Sequence, residues 1–178
     1  MTTDRIDPPL AADEVPTLLG FLNFHRDTLR TKTEGLDAEQ LATRLAPSTM
    51  TLGGMLKHLA LVEDYWFTSV LQGRPASEPW DAVDWDADED WDWNSAAEDT
   101  PEQLRDLLDT AIERSDRVMA DALTDGGLET LSVKERPVRH GGGRFSLRWI
   151  LVHLIEEYAR HNGHADLIRE SIDGVTGE

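Results

Sequence analysis

The sequence predicts an all-α protein, a four-helix bundle with a long acidic, tryptophan-rich loop between its second and third helices. Two observations predict this fold. Four separate segments place apolar residues at alternating steps of three and four, which is the spacing of one helix face. Outside them, the only stretch typical of a strand is a short one at 130–133. Four amphipathic helices of this length bury their apolar faces most simply against one another.

The first two helices are delimited by capping residues and by the glycines that follow them. The first runs from about Asp13 to Thr33. The second starts after Ser48 or Thr51, either of which can cap it, and ends at Gly73. On each helix, the residues at this spacing form a stripe along the face that is expected to be buried. The stripes comprise Val15, Leu18, Leu22, His25 and Leu29 in the first helix, and Met55, Leu59, Val62 and Trp66 in the second.

The third and fourth helices carry clear start signals. The third begins at TPEQ (100–103), whose threonine and glutamine form a capping box around a proline in the first turn, and it ends at Gly126 or Gly127. The fourth begins near Ser146, after three glycines, and runs to about Ile172. Their stripes comprise Leu104, Leu108, Ala111, Ser115, Val118 and Ala122 in the third helix, and Ile150, Leu154, Glu157, His161, His164 and Ile168 in the fourth.

The connection between the second and third helices is strongly acidic. Between Glu78 and Glu102 the chain has eleven carboxylates, no Lys or Arg, and four of its six tryptophans. We expect a long loop whose tryptophans pack onto the bundle while its carboxylates face water, and its length allows a crossover connection. The alternating aspartates of the stretch 86–92 leave a calcium loop as an alternative, although the central Gly and closing Glu of an EF-hand are missing.

The overall composition excludes several classes of function. The net charge of −18 disfavours nucleic acid and anionic membrane surfaces as partners. No apolar run approaches the roughly 20 residues of a membrane span, and the amino-terminal stretch lacks a signal pattern, so we expect a cytoplasmic protein with a single domain over residues 1–178. The absence of cysteine excludes disulfides, thiolate metal ligands and a cysteine nucleophile. The oligomeric state stays open, a homodimer included.

The fourth helix carries the residues that suggest chemistry. Its inward stripe contains Glu157 and His161, spaced i, i+4, where apolar residues would be expected. A buried carboxylate needs a cation or a metal beside it. His58, at the edge of the second helix's stripe, can face the same interior, and two histidines with one carboxylate leave open positions on a divalent ion. Zn²⁺ is favoured, with Ni²⁺, Mn²⁺ and Fe²⁺ as alternatives. The competing interpretation is an ion pair of Glu157 with a histidine or an arginine.

Other polar residues are weaker candidates. His153 and His164 lie one turn to either side of the Glu157 and His161 pair, where each could act as an acid or base or support a ligand. His25 interrupts the first stripe and is most simply a hydrogen-bonded core histidine. Arg139 and Arg144, in the loop RPVRHGGGR, could form an anion-binding rim, although such a loop is more often flexible.

Two motifs resemble a known superfamily. The stretch TLGGMLKHLALVEDYW resembles the second-helix motif of the DinB-like superfamily, and FSLRWILVHLIEEYARHNGHADLIRE with the closing IDGVTG resembles the fourth-helix motif of an uncharacterised branch. The resemblance implies a four-helix bundle that holds a divalent metal through His58, Glu157 and His161. Many relatives have two histidines in place of Glu157 and His161. The mycothiol-dependent maleylpyruvate isomerase relatives are similar to this chain in using Glu and His, but they carry a further domain.

The resemblance leaves two classes of function in view. The first is a metal-dependent transferase or isomerase that activates a low-molecular-weight thiol of the mycothiol or bacillithiol type and acts on a small molecule. The second is a non-catalytic metal-binding or stress-associated helical bundle. An iron oxygenase with two histidines and one carboxylate is a third class, but it usually uses a sheet scaffold. The sequence leaves open whether the protein is an enzyme, and it identifies neither substrate nor native metal.

Overall fold

The computed structural model describes residues 5–176 and confirms the all-α bundle. Helix α1 packs along α6 and α3 packs along α5, while the contact between α3 and α6 is narrower. Residues 1–4 and 177–178, which include the ends of the expected domain and the last residue of IDGVTG, lie outside the described residues. The helices are α1 (Glu14–Thr33), α2 (Ala38–Leu41), α3 (Leu52–Asp64), α4 (Trp91–Asn94), α5 (Pro101–Asp125) and α6 (Leu147–Asp173).

The start signals read from the sequence are confirmed at the long helices. The Thr51 hydroxyl accepts a hydrogen bond from the backbone of Gly54, which settles the start of α3. Thr100 and Gln103 form the expected capping box on α5, and Ser146 caps α6. The second helix continues past α3 as a π-helical segment, Tyr65–Leu71, so its expected length is right although its hydrogen bonding changes. The short helix α2, with its own capping box, was not predicted.

The apolar stripes form the core, with one error in α1. All six stripe positions of α5 are buried, as are Ile150, Leu154 and Ile168 of α6. The expectation that His25 lies on the buried stripe is wrong, because its side chain is only half-buried and Arg26 takes the core position. Between Leu22 and Leu29, helical steps of three then four and of four then three fit equally well, so periodicity alone could not choose.

Arg26 is the centre of a buried polar network that sequence periodicity did not reveal. Its guanidinium donates two hydrogen bonds to Glu63 of α3, at 2.7 and 2.8 Å, and one to Asp116 of α5 at 2.8 Å. The Tyr158 hydroxyl of α6 donates to Glu63 at 2.9 Å. Arg26, Glu63 and Tyr158 are each at most 1% exposed. Burial, followed by the charge of Glu63, raises the pKa of Tyr158 well above its usual range. The network therefore joins all four long helices.

The acidic loop packs its tryptophans onto the bundle as expected. It contains two 3-10 turns, Trp80–Ala82 and Ser95–Glu98, on either side of α4. Trp80 is buried, and Trp85, Trp91 and Trp93 are partly buried against the core. The expectation that the loop carboxylates face water is wrong for Asp92, which is 3% exposed.

A two-stranded antiparallel sheet precedes α6. The short strand expected at 130–133 is present as β1 (Leu131–Glu135), and its partner β2 (Arg144–Ser146) was missed. Leu131 lies opposite Ser146, and Glu135 lies opposite Arg144. Among residues 5–176, no helix has the length and apolar character needed to cross a bilayer.

Candidate metal centre

Helices α3 and α6 bring together the three residues that the sequence singled out. The His58 Nε2 atom lies 3.4 Å from Oε1 of Glu157, and the His161 Nε2 atom lies 3.5 Å from the same oxygen. One donor atom from each of the three residues lies within 4.8 Å of the other two. Between 10 and 20% of each side chain remains exposed, so the cluster is partly accessible to solvent and not sealed in the core.

These distances suit a divalent ion. Zn²⁺ bound to nitrogen and oxygen at about 2.0–2.1 Å places neighbouring tetrahedral ligands roughly 3.3 Å apart. Both histidine-to-Glu157 separations are close to that value. The donors, two imidazole nitrogens and a carboxylate oxygen, are the usual types for Zn²⁺ and related ions, and three protein ligands would leave an open position. The residues present therefore fit a metal site with room for a further ligand.

Without a metal, hydrogen bonds link Glu157 to both histidines. Hydrogen bonds from His161 and then from His58 hold the pKa of Glu157 well below its usual range. Burial lowers the pKa of His58, but hydrogen bonds to Asp92 and then to Glu157 outweigh it and raise that pKa to about 9. The ion-pair interpretation and the metal interpretation thus use one geometry, in which a metal replaces the proton that His58 carries on Nε2.

Asp92 is the site residue that sequence reasoning missed. Its Oδ2 atom lies 2.7 Å from the Nδ1 atom of His58, so the ring donates its Nδ1 proton to a buried carboxylate and directs Nε2 toward Glu157. The second ring has no such support, since Nδ1 of His161 is buried without a hydrogen-bond partner among the described residues. Asp92 is one of eleven carboxylates in its loop, and only its position between Trp91 and Trp93 distinguishes it in sequence.

Trp93 covers the histidines, and a glycine makes room for it. Its indole stacks on the His58 ring with centroids 4.7 Å apart and tilts against His161 at 5.6 Å. A Cβ atom on Gly54, one turn before His58, would lie 2.6 Å from the Trp93 ring, which is closer than such atoms approach. Gly54, the second glycine of TLGGM, therefore lets α3 and the acidic loop meet closely enough to place both Asp92 and Trp93 against His58.

The weaker candidates occupy other positions. His153 lies beside the site, in a second cluster with Glu156 and Glu157. The His164 ring lies 6.1 Å from that of His161, and its Nδ1 atom is buried without a partner among residues 5–176. Arg144 lines a surface cleft, whereas Arg139 is not among the residues lining that cleft. Among the described residues, the aspartates of 86–92 form no group that could hold an ion, which leaves the calcium alternative unsupported.

We expect Asp92→Asn to weaken metal binding by about 10- to 100-fold, the usual loss when the hydrogen-bonding partner of a ligating histidine is changed. The reason is that the amide carries no charge to increase the basicity of His58. Competition with a chromogenic chelator measures the affinity. Asp86→Asn, an exposed change in the same loop, is the matched control and should leave affinity unchanged. Equal affinities for the parent and Asp92→Asn would show that Asp92 does not support the ligand.

Comparison with known protein families places this site in context. A family profile described as mycothiol-S-transferase matches residues 17–174. The chain belongs to the mycothiol-S-transferase family. This is a DinB-like family, so the superfamily resemblance carried by the α3 and α6 motifs is confirmed. No curated protein matches the sequence. Membership in the mycothiol-S-transferase family supports a role in thiol-related transfer, and the His58, Glu157 and His161 cluster lies inside the matched region.

Proposed function

We propose that the protein is a metal-dependent transferase that activates a low-molecular-weight thiol of the mycothiol type. The observation that carries the proposal is the convergence of His58, Glu157 and His161 in a partly exposed cluster of a chain without cysteine. Because the protein has no thiol of its own, the sulfur must come from a small molecule. Family membership supports that source, and the donor set supports a metal that would bind it.

Each residue of the centre has a distinct task. His58, Glu157 and His161 would hold the ion, and Zn²⁺ is the favoured one. When bound, a divalent ion lowers the pKa of a thiol that ligates it, so that thiolate forms near neutral pH. Two neutral imidazoles and one carboxylate leave a net charge of about +1 at the site, which favours an incoming anion. Asp92 fixes the His58 ring, and Trp93 covers that ring and keeps water from its face.

The reaction balances without any oxidant or reductant. The thiol sulfur supplies the electron pair for a new carbon–sulfur bond to an electrophilic carbon. The leaving group departs with the electrons of the bond that breaks, and the thiol proton passes to solvent. The chain's own contribution is to orient the ligand atoms before the thiol arrives, so that little reorganisation is needed during the reaction.

We expect metal affinity to fall as the pH is lowered below about 9. His58 is protonated below its raised pKa of about 9, and a metal must displace that proton from Nε2. Each pH unit below that value should therefore weaken binding by up to about tenfold, as measured by chelator competition at about pH 7 and about pH 8. Protonated His58 also stabilises the metal-free fold. This stabilisation is fully present below the unfolded pKa of about 6.5 and is lost as the pH rises through about 9. A metal affinity that is constant over this range would contradict His58 as a ligand.

The proposal is tested by conjugation of purified mycothiol to a fluorogenic bromomethyl reagent. We expect the Zn²⁺-loaded protein to accelerate the reaction well above the uncatalysed rate, and we expect the acceleration to be lost in chelator and in His161→Ala. Glutathione in place of mycothiol tests selectivity for the thiol. A protein that metal stabilises against heat, but that accelerates no thiol conjugation, would instead support the non-catalytic bundle.

A further inference from the structure

An aromatic track extends along α6 away from the metal centre. It consists of Trp66, Phe145, Trp149 and His153. The Trp66 ring lies 4.8 to 5.1 Å from the other three, and the Trp149 ring stacks on His153 with centroids 5.0 Å apart. Trp149 is 43% exposed, which is high for an indole and leaves one side of the track open to solvent.

The aromatic track is continuous with the metal centre at one end. His153 contributes a ring nitrogen within 4.8 Å of a Glu157 carboxylate oxygen, and Glu157 in turn faces His58 and His161. Trp149 and Glu157 lie eight positions apart on α6, and this spacing corresponds to about 12 Å along the helix axis. A molecule lying on the track with its reactive end at the metal centre would therefore reach Trp149 with its far end.

At the other end, the aromatic track meets a basic cleft of about 190 Å³. The cleft is lined by Trp149 and Phe145 of the track together with Arg136, Arg144 and two glycines of the hairpin between β1 and β2. Three consecutive glycines, 141–143, all adopt positive φ, which gives the hairpin a path that other residues rarely allow. Two of them, Gly142 and Gly143, line the cleft together with the arginines.

The basic cleft differs in charge from the rest of the molecule. The hairpin segment 131–146 contains four basic residues and one acidic residue, in a chain of net charge −18. The Arg136 side chain makes no ion pair or hydrogen bond within residues 5–176. Arg144 makes one 3.4 Å pair with Glu135, in which both side chains are at least half exposed, and such a pair contributes little. Both guanidinium groups are therefore available to a carboxylate, which they can bind through two parallel hydrogen bonds.

We propose that the second substrate, the electrophile, has a flat apolar body that lies on the aromatic track and a terminal carboxylate that binds Arg136 and Arg144. This inference rests on the proposed function and adds the substrate class. The apolar rings select the body, the arginines select the anion, and the roughly 12 Å between Trp149 and the metal centre sets the length. The thiol would bind at the metal centre, which His58, Glu157 and His161 would hold at the end of the aromatic track nearest Glu157.

Binding of an unreactive probe tests the subsite without any catalysis. Biphenyl-4-carboxylate is titrated into the Zn²⁺-loaded protein and its affinity is measured by calorimetry. We expect Arg144→Gln and Trp149→Ala each to weaken binding by about tenfold, and Arg139→Gln, a change on the same hairpin outside the cleft, to have no effect. An affinity that is unchanged in Arg144→Gln would mean that the carboxylate binds elsewhere, the metal included, and would overturn the proposal.

A matched pair of substrates then tests the subsite in the reaction. With mycothiol, 4′-(bromomethyl)biphenyl-4-carboxylate and its primary carboxamide each form a carbon–sulfur bond and release bromide, with the thiol proton passing to buffer. We expect kcat/KM to be about tenfold higher for the acid than for the amide, and Arg144→Gln to remove this difference. Equal turnover of acid and amide by the parent would overturn the subsite while leaving the transferase function intact. Absence of turnover with both, together with arginine-dependent binding of the probe, would overturn the transferase function and not the subsite.

Discussion

His58→Ala and His161→Ala are each expected to abolish tight binding of a divalent ion while the bundle remains folded. Each change removes one of three donors, and the loss should exceed the 10- to 100-fold typical of changes to the residues that merely support ligands. Folding persists because the apolar stripes of α3 and α6 are untouched, and because both rings are partly exposed. Elemental analysis of protein purified without an affinity tag measures occupancy, which should be about one ion per parent chain.

His140→Ala is the matched control for these variants, because it removes a histidine from the exposed hairpin. It should bind metal as the parent does. Circular dichroism checks that all three variants remain helical. If the His58 and His161 variants retained metal at the parent's level, the ligand assignment would be wrong.

Glu157→Gln separates a ligand from a salt-bridge residue. The carboxylate contacts His58 and His161 in the absence of metal, so the variant should melt below the parent in chelator under either interpretation. If Glu157 is also a ligand, the variant should lose more in saturating metal than in chelator. If it is only a salt-bridge residue, the loss in saturating metal should be no larger than the loss in chelator. Thermal melts of the parent and the variant under both conditions decide between the two.

Arg26→Met is expected to lower the free energy of unfolding by about 3–5 kcal/mol, the usual cost of breaking a buried ion pair from one side. Among residues 5–176, the change leaves the Glu63 carboxylate, at 0% exposure, with only the Tyr158 hydroxyl as a side-chain partner. It also removes the cation shared with Asp116, which ties α1 to α5. Denaturant unfolding followed by circular dichroism measures the difference.

Arg30→Met, one turn later on the same helix, is the control. Arg30 pairs with Asp109 and Asp27, but its side chain is 36% exposed, so the loss should be below about 1 kcal/mol. A double variant, Arg26→Met with Glu63→Met, should recover part of the lost stability because no charge is left unpaired in the core. Equal losses in Arg26→Met and Arg30→Met would show that the buried network contributes no more than a surface pair.

Local signals predicted the long helices and their starts. Capping depends on residues within one turn, as at Thr51, Thr100 and Ser146, so the information lies entirely in neighbouring letters. Periodicity then predicted which face of each helix is buried. It was ambiguous between His25 and Arg26, because a helical face is broad enough to include either position.

The sequence by itself determined the helices, their buried faces and the placing of Glu157 and His161 one turn apart on one face of α6, because side chains on a helix are placed by its fixed geometry. The sequence predicted that His58 can face this pair, and the packing of α3 against α6 brings the three side chains together. Only the tertiary structure decided which of eleven loop carboxylates supports His58, which acid pairs with Arg26, and where the aromatic track meets the basic cleft. Asp92 lies 34 residues from His58, and Glu63 lies 37 residues from Arg26. No helical register extends across such separations. Partners at these distances are selected by how loops and helices pack, and by the cost of leaving a buried charge unpaired.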